Sequence, residues 1–280
     1  MQHVLLTGGT GFVGRQILQC LSDLGCRVTL AVREGGSQRL PSDLPNTLVI
    51  EAENLFAQPA SWWANNLDTI DTVIHSAWYA EPGKYLTSTK NLDCLIGTLE
   101  LAKAAAQCKV KRFVGLGSCV EYRPTEATLQ TNAPLEATTP YAGAKLAAFH
   151  ALQQHFLQTE TTFLWCRLFY LFGEGEHPNR LVPFLHRTLE NNEVAELTSG
   201  NQIRDFMDVS DAAKRIVELS QSNLEGPANV CSGQGQSVRE LAEKIADTYQ
   251  RRELLKFGAR PDNAFDPPYV VGEPTLPLRP

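Results

Sequence analysis

Along the first two-thirds of the chain, short β-branched runs alternate with segments whose apolar residues recur every three to four positions. The two periods predict strands over residues 4–7, 27–32, 48–51, 72–75, 112–117 and 162–172. Helices are predicted over 12–24, 91–107 and 141–158. In the first of these, Val13, Ile17, Leu18 and Leu21 share one face and Gly25 closes the helix. Alternation of this kind means βαβ units and a parallel sheet covered on both faces. The expected fold class is α/β, a doubly wound parallel sheet, with ligands above the carboxyl ends of its strands. After Gly173 the regularity breaks. Residues 174–203 and 226–280 are expected to form a smaller C-terminal lobe, with about 204–225 rejoining the main domain of 1–173. The Pro-rich tail, DPPYVVGEPTLPLRP, reads as loosely structured.

The first βα turn, TGGTGFVG at 7–14, places Gly8, Gly11 and Gly14 at three-residue spacing between a strand and a helix. Glycines there allow a tight turn and close approach to a pyrophosphate, and the helix start supplies N–H donors. Gly8, Thr10, Gly11, Phe12, Val13 and Gly14 are thus expected to hold a dinucleotide, making 1–173 a Rossmann dinucleotide-binding domain and the second lobe substrate-binding. The strand that follows normally ends in an acid for the adenosine ribose. Here it runs into LAVREGGSQR, with Arg33 just past its end. A guanidinium there suits a 2′-phosphate, so NADP(H) is favoured over NAD(H), the alternative being that Arg33 is a solvated surface charge.

The formal charge of −6 argues against a nucleic-acid polymer as partner, since that requires a basic face. The seven cysteines show no CxxC pair and no metal-ligand spacing. Scattered through apolar runs, they read as reduced, mostly buried thiols of a cytoplasmic protein. Neither a signal peptide nor a membrane span is expected from the N-terminal HVLLTGG or elsewhere.

In YAGAK, residues 141–145, a phenol and an ammonium lie four apart, one turn apart on one helix face. A neighbouring ammonium and an oxidised nicotinamide both favour phenolate, which would bring the phenol toward working pH. TGGTGFVG, Asn91 with Gly97-Thr98 behind it, Ser118 at a strand end, Tyr141-x-x-x-Lys145 and the IRDFMDVSD segment together resemble the extended short-chain dehydrogenase/reductase family, from residue 2 to about 250. The resemblance implies that Tyr141 is the general acid or base, that Lys145 lowers its pKa and holds the nicotinamide ribose, and that Ser118 hydrogen-bonds the reacting oxygen. It places Asn91 on the helix supporting Lys145, Ala77 beside the dinucleotide, and Arg204 and Asn179 on the diphosphate of a nucleotide-sugar substrate. Where the family usually has an aspartate contacting adenine, this chain departs with Glu53, Asn54 and Leu55, of which Asn54 could still hydrogen-bond the base. His75 reads as a packing residue near the cofactor. An ion pair with Asp205 or Asp208 is the competing role for Arg204. Family members pair their two long helices into dimers, so a homodimer is expected. They also run on into a further helix where this chain stops after PPYVVGEP, so part of the sugar lobe is expected to be abbreviated.

Departures from the family pattern narrow the reaction. Dehydratases follow the site hydroxyl with Asp-Glu, whereas here Cys119 and Val120 follow Ser118. Enzymes resembling GDP-fucose synthase use a cysteine and a histidine where Val120 and Arg180 stand, and Cys119 is one residue off. What remains is hydride transfer with one acid/base. An NADPH-dependent reduction of a 4-keto group on a nucleotide-linked 6-deoxy sugar is the favoured reading, to which GSCVEY is similar. An NAD-dependent 4-epimerase and a non-catalytic dinucleotide-binding protein are the alternatives. Glu121 either contacts substrate or caps a turn.

Overall fold

The computed structural model describes residues 1–40, 44–262 and 266–276. In chain order the elements are β1 (His3–Thr7), α1 (Phe12–Asp23), β2 (Arg27–Arg33), β3 (Thr47–Ala52), α2 (Ala60–Ala64), β4 (Thr72–His75), α3 (Lys90–Gln107) and β5 (Arg112–Ser118). There follow α4 (Pro140–Phe156), β6 (Thr162–Leu168), β7 (Tyr170–Phe172), α5 (Leu181–Glu190), β8 (Ala195–Glu196) and β9 (Ile203–Asp208). The chain continues through α6 (Val209–Gln221), β10 (Gly226–Val230), β11 (Gly235–Ser237), α7 (Val238–Tyr249), β12 (Leu255–Lys256) and β13 (Tyr269–Val270).

Seven parallel strands in the order β10-β6-β5-β4-β1-β2-β3 form the main sheet. Its strands are apolar on both faces, as a covered parallel sheet requires. Side chains alternate sides along each strand. Val4 and Leu6 of β1 therefore join Ile17 and Leu21 of α1 and Ile216 of α6 in one layer. Leu5 joins Leu101 of α3 and Phe149 and Phe156 of α4 in the other. Because the strands run parallel, Thr7, Arg33, His75, Ser118 and Leu168 all end on one edge, where a doubly wound sheet binds its ligand.

Three expectations are corrected here. Residues 162–172 do not form one strand: at Phe169 the chain leaves the main sheet, and β7 pairs instead with β9 of a small four-stranded sheet with β11 and β13. Residues 226–230, assigned to the second lobe, form β10 and extend the main sheet beside β6, where Ala228, Asn229 and Val230 are fully buried. The tail is ordered through 276: β13 runs beside β9, Leu129 N–H donates to the Val271 carbonyl at 2.8 Å, and Thr275 exchanges hydrogen bonds with Asn229. Proline content signalled looseness. What pins the segment is Asp205, fully buried, which accepts from the N–H groups of Ser232, Gly233 and Gly272. Residues 277–280 of that tail lie outside the described residues.

The second lobe has its own core of Leu185 and Leu189 of α5, Ala195, Leu197, and Leu241 and Ile245 of α7. No helix among the described residues is long and apolar enough to cross a membrane.

Candidate active site

The glycine turn is built by close approach. Gly8 takes φ +72°, and a Cβ there would lie 2.7 Å from the Ala77 nitrogen, so the turn lies directly against the end of β4. A Cβ on Gly14 would fall 2.1 Å from the Gly8 carbonyl oxygen, so α1 sits tight against the turn. Thr10, Phe12 and Val13 are half-buried around it. At the helix start Gly11 offers no side-chain cap and the first turn holds no acid. The leading N–H groups and positive end of α1 are left for an anion, which fits a dinucleotide pyrophosphate.

Arg33 is exposed at the end of β2. The sequence reading missed its neighbour. Glu51 of β3, paired in register with Val32, turns its carboxylate into the loop after β2 and accepts from the N–H groups of Ser37 at 3.3 Å and Gly35 at 3.5 Å. The Ser37 hydroxyl and N–H hold that carboxyl below its ordinary range. Asn54 accepts from the Phe56 N–H at 3.0 Å and caps the turn there, while Leu55 is buried in the core. Gly97 of α3 lies over the same turn, where a Cβ would be 2.5 Å from the Phe56 Cα.

At the centre of the edge, Ser118 ends β5 and Tyr141 and Lys145 rise from the first turns of α4. Thr139 accepts from the Ala142 N–H and Pro140 occupies the first helical turn, a capped start that fixes where the phenol emerges. Tyr141 packs edge-on against Tyr85 at 4.8 Å between ring centroids and against Trp78 at 6.3 Å. The Lys145 ammonium, buried, donates to the Leu116 carbonyl at 2.6 Å and lies 3.7 Å from the centre of the Trp78 ring. Burial pulls its pKa down to about 7, against the pull of the Glu121 charge.

The expectation that Lys145 brings the phenol down is corrected by this geometry. Burial pushes the Tyr141 pKa up from its ordinary value, aided by Tyr85 and Glu121, and the Ser118 hydroxyl offsets only part of that. The ammonium is aimed at a β5 carbonyl and lies 5.9 Å from the phenol ring centre. A phenol that keeps its proton is in the form a proton donor needs.

Asn91 is buried, and its amide serves the protein: Oδ1 accepts from Trp78 Nε1 at 2.9 Å while Nδ2 donates to the carbonyls of Tyr85 and Ser88. Its support of Lys145 is therefore indirect, through the indole that covers the ammonium. His75 is buried between the hydroxyls of Thr7 and Thr98, and burial first, then the Lys145 charge, lowers its pKa to about 3. It is a neutral packing residue, as expected. The Ala77 N–H donates to the Thr7 hydroxyl at 3.1 Å.

Glu121, one alternative for which was substrate contact, is corrected to an internal role. Its carboxylate is fully buried, accepts from the Ser118 N–H at 2.8 Å to close a capping box, and pairs with Arg167. Arg204 is also buried. It pairs with Asp266 at 2.8 Å rather than with Asp205 or Asp208, and lies 5.1 Å from the centre of the Tyr170 ring. Asn179 is exposed in the loop before α5, and Arg180 beside it stands 5.7 Å from the Tyr85 ring centre. Trp78 and Tyr85 thus pack around Tyr141 and Lys145, and Tyr170 beside Arg204, without having been singled out. The run HSAW directly after a predicted strand was the available signal for Trp78. Cys119 is buried, with burial raising its pKa to about 12, which suits packing rather than catalysis. All seven cysteines are unpaired, and no metal-holding cluster occurs among the described residues.

Residues 4–231 match the model of the NAD dependent epimerase/dehydratase family. The chain is 24% identical over 276 residues to the dTDP-6-deoxy-L-talose 4-dehydrogenase (NAD(+)) of Aggregatibacter actinomycetemcomitans, covering 96% of this chain and 99% of that protein. It is 28% identical to the GDP-6-deoxy-D-mannose reductase of Pseudomonas aeruginosa, over 92% of this chain and 84% of the relative. Among solved structures, the UDP-N-acetylglucosamine 4-epimerase of Methanobrevibacter ruminantium superposes with a TM-score of 0.84 at 23% identity, covering 98% of this chain and 90% of that one. Glycine turn, strand-end serine and capped Tyr-Lys helix on one sheet edge agree with the match over 4–231: the chain belongs to the NAD dependent epimerase/dehydratase family, within the extended short-chain dehydrogenases/reductases.

Proposed function

We propose that this enzyme reduces the 4-keto group of a nucleotide-linked 6-deoxy sugar with NADPH, Tyr141 donating the proton. The observation that carries the reading is Tyr141 at the sheet edge with no free acid in the turn after Ser118. The one carboxylate in the turn after Ser118, Glu121, is sealed inside the protein, so the Asp-Glu pair that elimination of water calls for has no counterpart there. Two of the relatives are named for oxidation or reduction of 6-deoxy sugar nucleotides, which supports the same class.

The glycine turn at 8–14 and the start of α1 would hold the dinucleotide, whose reduced nicotinamide would supply the hydride for the carbonyl carbon. Ser118 holds the carbonyl oxygen, and Tyr141 transfers its phenolic proton to that oxygen as the alcohol forms. Lys145, as an ammonium, would hold the nicotinamide ribose. Arg204 and Asn179 would meet the substrate diphosphate, Arg204 exchanging its contact with Asp266 for the phosphates. NADPH oxidation with 4-keto-6-deoxy sugars carrying dTDP, GDP, UDP or CDP tests the reading. Co-purified NAD and sugar interconversion without net NADPH consumption would replace it with the 4-epimerase.

Glu51 is the observation that favours NAD(H), since its carboxylate accepts from the N–H groups of Gly35 and Ser37 in the loop after Arg33, and a carboxylate suits a ribose hydroxyl better than a 2′-phosphate. The two readings separate by mutation. Arg33→Ala should cut the NADPH preference in kcat/KM by about tenfold or more, the loss of one charge-assisted contact, and Glu51→Gln should raise it. Unchanged ratios in both variants would remove the assignment of this loop to the 2′ position.

A homodimer through α3 and α4 is part of the proposal. Leu92 and Ile96, one turn apart on α3, are 61% and 57% exposed, an apolar face that pairing would cover. Sedimentation should give a dimer for the wild type and a monomer for Leu92→Glu/Ile96→Glu.

A further inference from the structure

Behind Ser118 lies a buried charge that the proposed chemistry does not use. Arg167 Nε meets Glu121 Oε2 at 2.7 Å, and both side chains are sealed from solvent. Trp165 Nε1 donates to both Glu121 oxygens at 3.1 Å, and the Ser118 N–H donates to Oε1 at 2.8 Å. Arg167 is fixed in turn by the Tyr122 hydroxyl at 3.1 Å and by the rings of Tyr122 and Phe149.

The sequence makes room for this arrangement. Gly115 and Gly117 lie on one face of β5, in register with Trp165 and Arg167 of β6. A Cβ on Gly117 would stand 2.2 Å from Trp165 Nε1 and 2.6 Å from Glu121 Oε1, and one on Gly115 would stand 2.4 Å from the indole. Two glycines two apart in a strand interior weaken it, and here they are what admits the indole and the carboxylate. A buried ion pair is weak as a stabilising device compared with well-packed apolar residues, so stability alone does not account for it.

We propose that Glu121 and Arg167 form a positioning pair for the reaction: Glu121 fixes Ser118 through its N–H, and its charge holds Lys145 as the ammonium. The inference rests on the proposed function only in assigning Ser118 and Lys145 to the chemistry. Lys145 stands 5.8 Å from the centre of the Trp165 ring, whose Nε1 donates to Glu121, so the carboxylate and the ammonium flank one indole. The titratable and charged groups about the ammonium are Glu121, itself paired with Arg167 of β6, Cys94 of α3, His75 of β4 and Tyr141 of its own helix. His75 is neutral and Cys94 is a buried thiol whose pKa burial raises, so Glu121 is the anion that counts.

The sign follows. Lys145 already has its pKa lowered to about 7, and the Glu121 charge opposes that lowering. Removing the charge lowers the pKa further, and the ammonium is lost at lower pH. In Glu121→Gln, the alkaline limb of NAD(P)H binding and of kcat/KM should therefore move down by about 1 pH unit or more, with kcat reduced. Glu121→Asp should restore part of the limb's position. A loss of kcat with the limb unmoved would overturn the proposal and leave Glu121 a structural residue. If Glu121→Gln fails to fold, Glu121→Gln/Arg167→Gln, which buries no unpaired charge, carries the same measurement. Its limb should move in the same direction by a smaller amount, because the Arg167 cation is removed together with the Glu121 charge, and an unshifted limb overturns the proposal. Cofactor binding is followed by nicotinamide fluorescence without substrate, so failure to reduce any 4-keto sugar would count against the proposed function and leave this test intact.

Discussion

Replacing Tyr141 with Phe lowers ketone reduction by about 10²–10⁴-fold, the contribution of one positioned general acid, and leaves NAD(P)H affinity nearly unchanged. The phenylalanine ring retains the edge-on contacts with Tyr85 and Trp78, and the backbone N–H of residue 141 still donates to the Leu86 carbonyl, so the start of α4 stays in place. Only the proton is lost. Because burial raises the phenol's pKa, the wild-type rate should show no alkaline fall from tyrosine ionisation near neutrality. Any fall there belongs to Lys145, pulled down to about 7. Stopped-flow NADPH oxidation with wild type and variant checks both statements, and equal rates would remove Tyr141 as the acid.

Arg167→Met has the largest expected effect on stability. It leaves the fully buried Glu121 carboxylate facing an apolar thioether, and stripping one partner from a buried pair costs about 3–5 kcal/mol. In domains slightly smaller than this one, each kcal/mol lowers Tm by about 2–4 °C, so calorimetry should record a drop of about 10 °C. Adding Glu121→Leu removes the orphaned charge and should return most of the loss, because an apolar pair of similar volume is often neutral or stabilising. That double variant regains stability without regaining activity. A double variant no more stable than Arg167→Met would mean that the cost lies in packing around Phe149 and Tyr122 rather than in charge.

What the sequence disclosed was what local periodicity encodes. The strand at 4–7, the helix beginning at Phe12, the glycine spacing and the Tyr-Lys turn all depend on residues within a few positions of one another. What it hid depended on partners far along the chain. Glu51 reaches the loop after β2 only because β3 pairs beside β2 in that register. β10 reads as a polar stretch, GPANV, until β6 lies alongside it and buries its last three residues. Glu121 could not be assigned between substrate and cap because a carboxylate three residues past a strand end satisfies both patterns. Its choice was made by Trp165 and Arg167, more than forty positions away. The phenol's pKa was misjudged for a related reason: spacing gives the proximity of the ammonium but neither the burial that raises the phenol's pKa nor the carbonyl the ammonium prefers.

The way the carboxyl-terminal segment is held has a practical consequence. It touches β9 through Tyr269 and Val270, Asp205 through Gly272, and β10 and α6 through Thr275, which accepts from Arg215. It therefore stitches the small sheet to the large one. A dye attached at Leu276, which is exposed, would ride on that seam and report motion between the two sheets as the enzyme cycles.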